Sequence, residues 1–280
     1  MNELVGEKHD VLDDGFVRLI DYFGSDEAIA QAARVSYSKG TKTVQDDANL
    51  VRYLMRHEHF SPFSMCQVKL HARMPLFINV QWLRHDRFHW NLMSARYSVM
   101  PKEKWLGDTE WRMPSSTNKQ AGDALLDTTT QIEADTIQST AYSLSERYYQ
   151  ELLELNVCRE QARSVLAFGQ YTEGFVTANL GDWLLFLRQR MDPHAQKEIQ
   201  VYANVIYDIL YELFPVTMQA FIDYQYKSVS FSRLEMNVVR DLLSKNINIF
   251  DLTPSERVKL LEEHGLDSKR ERVEFFKKIK

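Results

Sequence analysis

The chain has little cysteine. Cys66 and Cys158 are the two in 280 residues, too few for a disulfide framework and not spaced as a CxxC pair. A reducing cytoplasm suits them. A basic excess is also missing: Lys+Arg 34 against Asp+Glu 39 gives a net charge of -5. That excludes a polycation built for nucleic acid, so any anion site has to be assembled locally from clustered arginines. No run approaches about 18 uncharged apolar residues, and no membrane span is expected. The first residues lack the apolar stretch of a secretory signal. Glycine and proline number 10 and 7, without the clusters of a collagenous or low-complexity chain. What is there is globular: 44% hydrophobic and 26% charged. Aromatic residues at 12% suit a large core or a protein that stacks planar rings.

Local patterns give a coarse order of elements. A strand is expected at Phe16–Ile20, then a helix capped by Ser25 with acids in its first turn. A second helix is expected over Asp46–His57. Gln67 to Met74 alternates like a half-buried strand. Pro75 fits the opening of a helix carrying Phe77, Val80, Gln81 and Arg84. Residues 101–122 read as an irregular insert, either a substrate cover or a solvated connection. From Thr128 the chain reads as helix to Leu155, helix over Arg159–Leu166, and strand over Gln170–Thr177. Helices follow at Asp182–Arg190, His194–Leu213 and Val216–Tyr226. The tail holds short charged helices docked by Phe275 and Phe276. Strands and helices cluster without a βαβ rhythm, which points to α+β: mixed helices on a small antiparallel sheet. The expected division is one elaborated domain over residues 1–230 and a helical extension over 231–280.

The densest chemistry lies between Gln81 and Ser98. Arg84, Arg87, Arg96, His85 and His89 stand among Gln81, Asn91, Ser94 and Ser98. Gln81 and Arg84, three apart, would share a helical face. Ser94 and Arg96, two apart, would share a strand face. Arginine forks and serine hydroxyls suit a phosphate, and a carboxamide suits a pyrimidine edge. Salt bridges on a surface turn are the plain alternative. His57 and His59, or His85 and His89, have spacings that can hold zinc, but no HExxH motif or further ligands accompany them, so no metal is expected. An RNA-binding reading of Trp82, Arg84, Arg87, Trp90 and Arg96 runs against the acidic net charge and the lack of RNP or KH patterns.

The run Arg84-His85-Asp86-Arg87-Phe88-His89-Trp90-Asn91-Leu92-Met93-Ser94-Ala95-Arg96-Tyr97 resembles the signature of the flavin-dependent thymidylate synthases. That signature is Arg-His-Arg-x-x-Ser-x-Asn-Glu-x-Ser-x-Arg-Tyr. Two further blocks agree in order: Val11 through Ser36, and Asn179 through Arg190 followed by His194 to Ile199. The resemblance covers Val11 to Tyr226. It implies an α+β homotetramer with active sites shared between subunits. It also implies FAD as cofactor, NADPH as reductant and methylenetetrahydrofolate as one-carbon donor to dUMP, with no enzyme cysteine attacking the ring. By the same resemblance Gln81, Arg84, Ser94, Ala95, Arg96, Arg163 and Arg190 contact the nucleotide, with Arg190 and Ser94 closest to the chemistry. Ser94 is read as a substrate contact, not a nucleophile. Ser36, Ser61, His85, Asp86, Arg87, Asn91, Asn179 and His194 fall at flavin positions.

Several positions depart from the pattern. Asp86 stands at the second arginine of the signature, a charge reversal that could cost several kcal/mol if nothing compensates it. Arg87 is the nearest candidate to do so. Ser64, Gly181 and Leu185 replace polar or acidic flavin contacts. Leu92 replaces a glutamate and His89 a serine. A lineage variant of the same enzyme, a related C5-methylase acting on another pyrimidine nucleotide such as UMP, and a nucleotide binder without flavin chemistry all remain open on these residues.

Overall fold

A computed structural model describes residues 3–35, 44–107, 110–116 and 122–279. Ser36 lies outside the described residues. The chain divides into two compact units, Met1–Tyr226 and Lys227–Lys280.

The first unit is built on a sheet of five strands: β1 (Lys8–Val11), β2 (Gly15–Phe23), β3 (Gln67–Pro75), β4 (His89–Leu92) and β7 (Tyr171–Asn179). Their order is β1-β2-β3-β7-β4, every neighbouring pair antiparallel. Alternation puts Val17 and Leu19 of β2, Val68, Leu70, Ala72 and Met74 of β3, and Val176 and Ala178 of β7 into one buried cluster. Helices α1 (Asp26–Arg34), α2 (Val44–Arg56), α6 (Leu180–Arg190), α7 (Lys197–Leu213) and α8 (Pro215–Phe221) supply most of the rest of that core. Ser25 caps α1 as expected, accepting from the Ala28 N–H. The α+β expectation holds.

Two helices are launched from the central β3–β7 pair. The pair runs antiparallel from Gln67 opposite Asn179 to Pro75 opposite Tyr171. So α3 (Leu76–Trp82) leaves one end of the pair and α6 leaves the other. Nine-residue strands span about 27 Å between end residues. A seven-residue and an eleven-residue helix cover about 10 and 16 Å. Run back along the sheet, the two helices end where they meet. The Arg190 Nη2 bond to the Gln81 carbonyl, 3.0 Å, marks that meeting.

Aromatic packing holds the junction. Trp82 stacks on Phe186 with centroids 4.8 Å apart, and Phe88 meets Trp183 edge-on at 4.5 Å. All four rings are buried. They pin both ends of the turn 83–88 to α6. Gly174 of β7 permits the close approach of β4: a Cβ there would lie 2.6 Å from the Asn91 carbonyl oxygen.

The insert is partly ordered by pairing. Strand β5 (Arg112–Pro114) pairs antiparallel with β6 (Gly122–Leu125). Its flanks are tied to the hairpin before β2, to α4 (Thr128–Glu154) and to α7. The Leu106 N–H donates to Asp13 at 2.9 Å, Trp111 Nε1 to Asp135 at 2.7 Å, and Arg112 pairs with Glu198 at 2.7 Å. The expected helix over 159–166 is a short α5 (Arg159–Ala162) followed by a 3-10 turn at Arg163–Val165.

The second unit is a small helical core. Helices α9 (Arg233–Lys245), α10 (Pro254–Glu263) and α11 (Lys269–Lys278) each carry a complete capping box, from Ser232, Thr253 and Ser268. Val238, Leu242, Leu261 and the buried Phe275 pack between them.

Candidate functional site

The helix-junction residues converge on Arg190. Its Nε donates to His85 Nε2 at 3.0 Å, and its Nη2 to the Gln81 carbonyl at 3.0 Å. Among the described residues no carboxylate pairs with Arg190. A half-buried cation is thus held by neutral acceptors and keeps its charge for an anionic partner. Burial pulls its pKa below the ordinary guanidinium value, but not enough to discharge a group of that basicity near neutrality.

His85 must be neutral to accept this bond. Burial, and then the Arg190 charge, push its pKa down to about 4, against a smaller upward pull from Asp86. Its Nε2 is therefore the lone-pair nitrogen and Nδ1 carries the proton. Phe186 and Phe88 flank the ring at 5.0 and 5.8 Å. Gln81 is fixed twice: its carbonyl by Arg190, and its side chain by donating to Gln196 Oε1 at 2.5 Å.

Two expectations about faces fail here. Helix α3 ends at Trp82, so Arg84 stands in the following turn and does not share a helical face with Gln81. Strand β4 ends at Leu92, so Ser94 and Arg96 lie in a turn. There Ser94 Oγ accepts the Arg96 N–H at 3.3 Å. The aromatic anchors Trp82 and Phe88 decide the first break, because they hold the intervening residues away from the helix axis. His194 also lies outside its expected helix. It sits in the loop before α7 with Nδ1 2.8 Å from Asp192 Oδ1.

A second cluster forms away from Arg190. Arg96 pairs with Glu160 at 3.0 Å, both side chains more than half exposed. Arg159 reaches the Tyr97 carbonyl at 3.4 Å. These contacts set Ser94, Ala95 and Arg96 against α5, whose end carries the exposed Arg163. Among the described residues no hydrogen bond or ion pair links this cluster to Arg190. An exposed pair such as Arg96–Glu160 contributes little, so an incoming phosphate can replace the carboxylate.

The start of α6 gathers two of the expected flavin positions, Asn179 and Arg87. Asn179 caps the helix, accepting from the Asp182 N–H at 3.0 Å, and donates Nδ2 to Asp182 at 2.5 Å. Arg87 reaches the same carboxylate at 3.3 Å. Beside them is an open cleft lined by Phe60, Ser64, Arg87, Gly181, Leu185 and Arg188, among others. Ser61 stands exposed in the turn before Phe63. Asn91 lies on β4, opposite Phe175. Asp86 is exposed and does not line the cleft. The donor set fits a flavin dinucleotide: an apolar wall for a planar ring, and guanidinium and hydroxyl groups for phosphate and sugar.

Sequence reasoning missed Gln196, Glu160, Asp182 and Arg188. Asp182 had a usable signal in the Asn179-x-x-Asp182 capping pattern. The other three depend on contacts between distant segments.

The family model described as thymidylate synthase complementing protein matches residues 18–216. A flavin-dependent thymidylate synthase of Wolbachia pipientis wMel is 40% identical over 244 residues, covering 87% of this chain and 86% of the relative. One from Thermus thermophilus is 43% identical over 238 residues, covering 85% and 86%. The crystal structure of a UMP/dUMP methylase from Streptomyces cacaoi bound with 5-Br dUMP superposes with a TM-score of 0.70 at 28% identity. That likeness covers 78% of this chain and 99% of the other. The chain belongs to the thymidylate synthase complementing protein family.

Proposed function

We propose that the protein is a flavin-dependent thymidylate synthase, converting dUMP to dTMP. Methylenetetrahydrofolate is the one-carbon donor, FAD the cofactor and NADPH the reductant. The observation that carries this reading is Arg190, a half-buried cation without a described carboxylate partner, aimed by a neutral histidine and a main-chain carbonyl. In this role it holds the uracil carbonyls and stabilises the electron-rich, anionic form of the ring from which C5 attacks the methylene carbon. Gln81, steadied by Gln196, reads the pyrimidine edge. Arg84, Arg96 and Arg163 take the phosphate, with the hydroxyl of Ser94 and the backbone at Ala95 beside it. The two arginine clusters are separate within one chain, which supports a homotetramer in which one subunit's Arg96 cluster completes another's Arg190 cluster. A flavin, when bound, would supply the hydride that reduces the methylene carried on C5 to a methyl group. Asn179, Arg87, His85, Asn91, Ser61 and His194 are the proposed contacts for it; Ser36 and Asp86 belong to the same set by resemblance.

A second reading is a methylase that also accepts UMP, favoured by the printed substrates of the similar Streptomyces cacaoi enzyme. Both are tested by offering dUMP and UMP in competition, with FAD, NADPH and methylenetetrahydrofolate under low oxygen. The products are identified by mass spectrometry. Thymidylate as main product supports the first reading, a methylated ribonucleotide the second. Neither product, with nucleotide still bound, removes both.

A further inference from the structure

We propose that Arg188 and Arg87 hold the phosphates at the adenylate end of the flavin dinucleotide. Preference for FAD over a mononucleotide flavin then rests on this pair and not on position 86. The inference rests on the flavin reading above. Gly181, Leu184, Leu185 and Arg188 are spaced i, i+3, i+4, i+7 on α6 and all line the cleft. The spacing from Gly181 to Arg188 is about 10 Å along the axis, room for a nucleoside phosphate laid lengthwise. At the upper end a Cβ on residue 181 would come within 3.2 Å of Ser64 Oγ and Asn179 Oδ1, so glycine keeps that end open. Phe60, Leu185 and Phe221 form the apolar wall for a flat base.

The charges fit phosphate. Asp182 is the acid lining the cleft, and it is already bonded to Asn179 and Arg87. The Arg87 side chain is 73% exposed, so its fork has donors to spare. Arg188 donates Nη1 to the neutral Gln225 at 3.0 Å, and among the described residues no carboxylate pairs with it. Two guanidinium groups thus face one bonded carboxylate, a net positive cleft. Arg190, two residues on and about 200° around the helix, points the other way, to His85 and Gln81. One helix therefore presents separate cations to the pyrimidine nucleotide and to the far end of the cofactor.

The test titrates the full chain with FAD, FMN, ADP and dUMP by fluorescence and calorimetry. Arg188→Ala should weaken FAD and ADP at least about tenfold while leaving FMN and dUMP unchanged. Leu185→Trp, which fills the cleft, should do the same without removing a charge. Asp86→Arg should leave FAD within about threefold of the unaltered chain. FAD and ADP affinities unchanged in both cleft variants would overturn the placement. So would equal losses for FAD and FMN, or a tenfold tightening by Asp86→Arg. A chain that binds dUMP but neither flavin nor ADP would sink the flavin reading and this inference together. Flavin binding indifferent to Arg188 would sink this inference alone.

Discussion

Acidification should loosen the site at His85. In the fold its pKa lies near 4, against an ordinary value of 6.5. Protonation would remove the acceptor of Arg190 Nε and set two cations 3.0 Å apart. The unfolded chain takes up this proton as pH falls through 6.5, while the folded chain resists until about 4. Stability should therefore decline across that window on acidification and flatten below it. At 1.36 kcal/mol per pH unit the ceiling is about 3 kcal/mol. Partial solvent screening reduces the expected loss to about 1–2 kcal/mol. Urea unfolding through the window, against a His85→Gln variant that keeps a neutral acceptor, isolates the effect. The variant should lose about 1–2 kcal/mol less on acidification than the unaltered chain. A His85 ring titrating near 6.5 by NMR, or the same acid dependence in both proteins, would refute the reasoning.

Four further outcomes are expected. Arg190→Ala should lower kcat by at least about 100-fold with the circular dichroism spectrum preserved; turnover at the original rate would remove Arg190 from the site. Arg96→Ala should raise the nucleotide KM by about tenfold or more, and an unchanged KM in steady-state assays would show that this arginine makes no phosphate contact. Asp26 accepts from the Val216 and Thr217 N–H groups and the Thr217 hydroxyl at 2.5–3.0 Å, so Asp26→Ala should cost about 2–4 kcal/mol in urea unfolding, and a loss under 1 kcal/mol would show that the start of α8 is held by other contacts. Burial pushes the Cys66 thiol up to about 11 while Cys158 is exposed; iodoacetamide on the native protein should label Cys158 alone by mass spectrometry, and rapid double labelling would contradict the buried position of Cys66.

Much of the candidate site was legible because its chemistry is concentrated in local strings. The stretch from Gln81 to Arg96 carries its arginines, histidines and carboxamides within sixteen positions, and Asn179 to Arg190 carries a cap and a terminal arginine on one helix. Elements with clear local signals also came through: Ser25 as a cap, the alternation from Gln67, and the long helix from Thr128. Asp86, alarming as a charge reversal in sequence, is exposed and off the cleft.

The amino-acid sequence by itself determined the hydrophobic periodicities, the caps and the residue types available for anion and ring binding, because these depend on neighbours a few positions away. Tertiary structure alone decided which of them meet. Helix α3 stops at Trp82 because that ring packs on Phe186, more than a hundred positions later, and no local pattern encodes the stop. Arg190 acquires neutral partners, and His85 its depressed pKa, because two helices launched from opposite ends of a strand pair end at the same place. Arg188 becomes a cleft residue because Phe60 and Phe221, from distant segments, pack beside it.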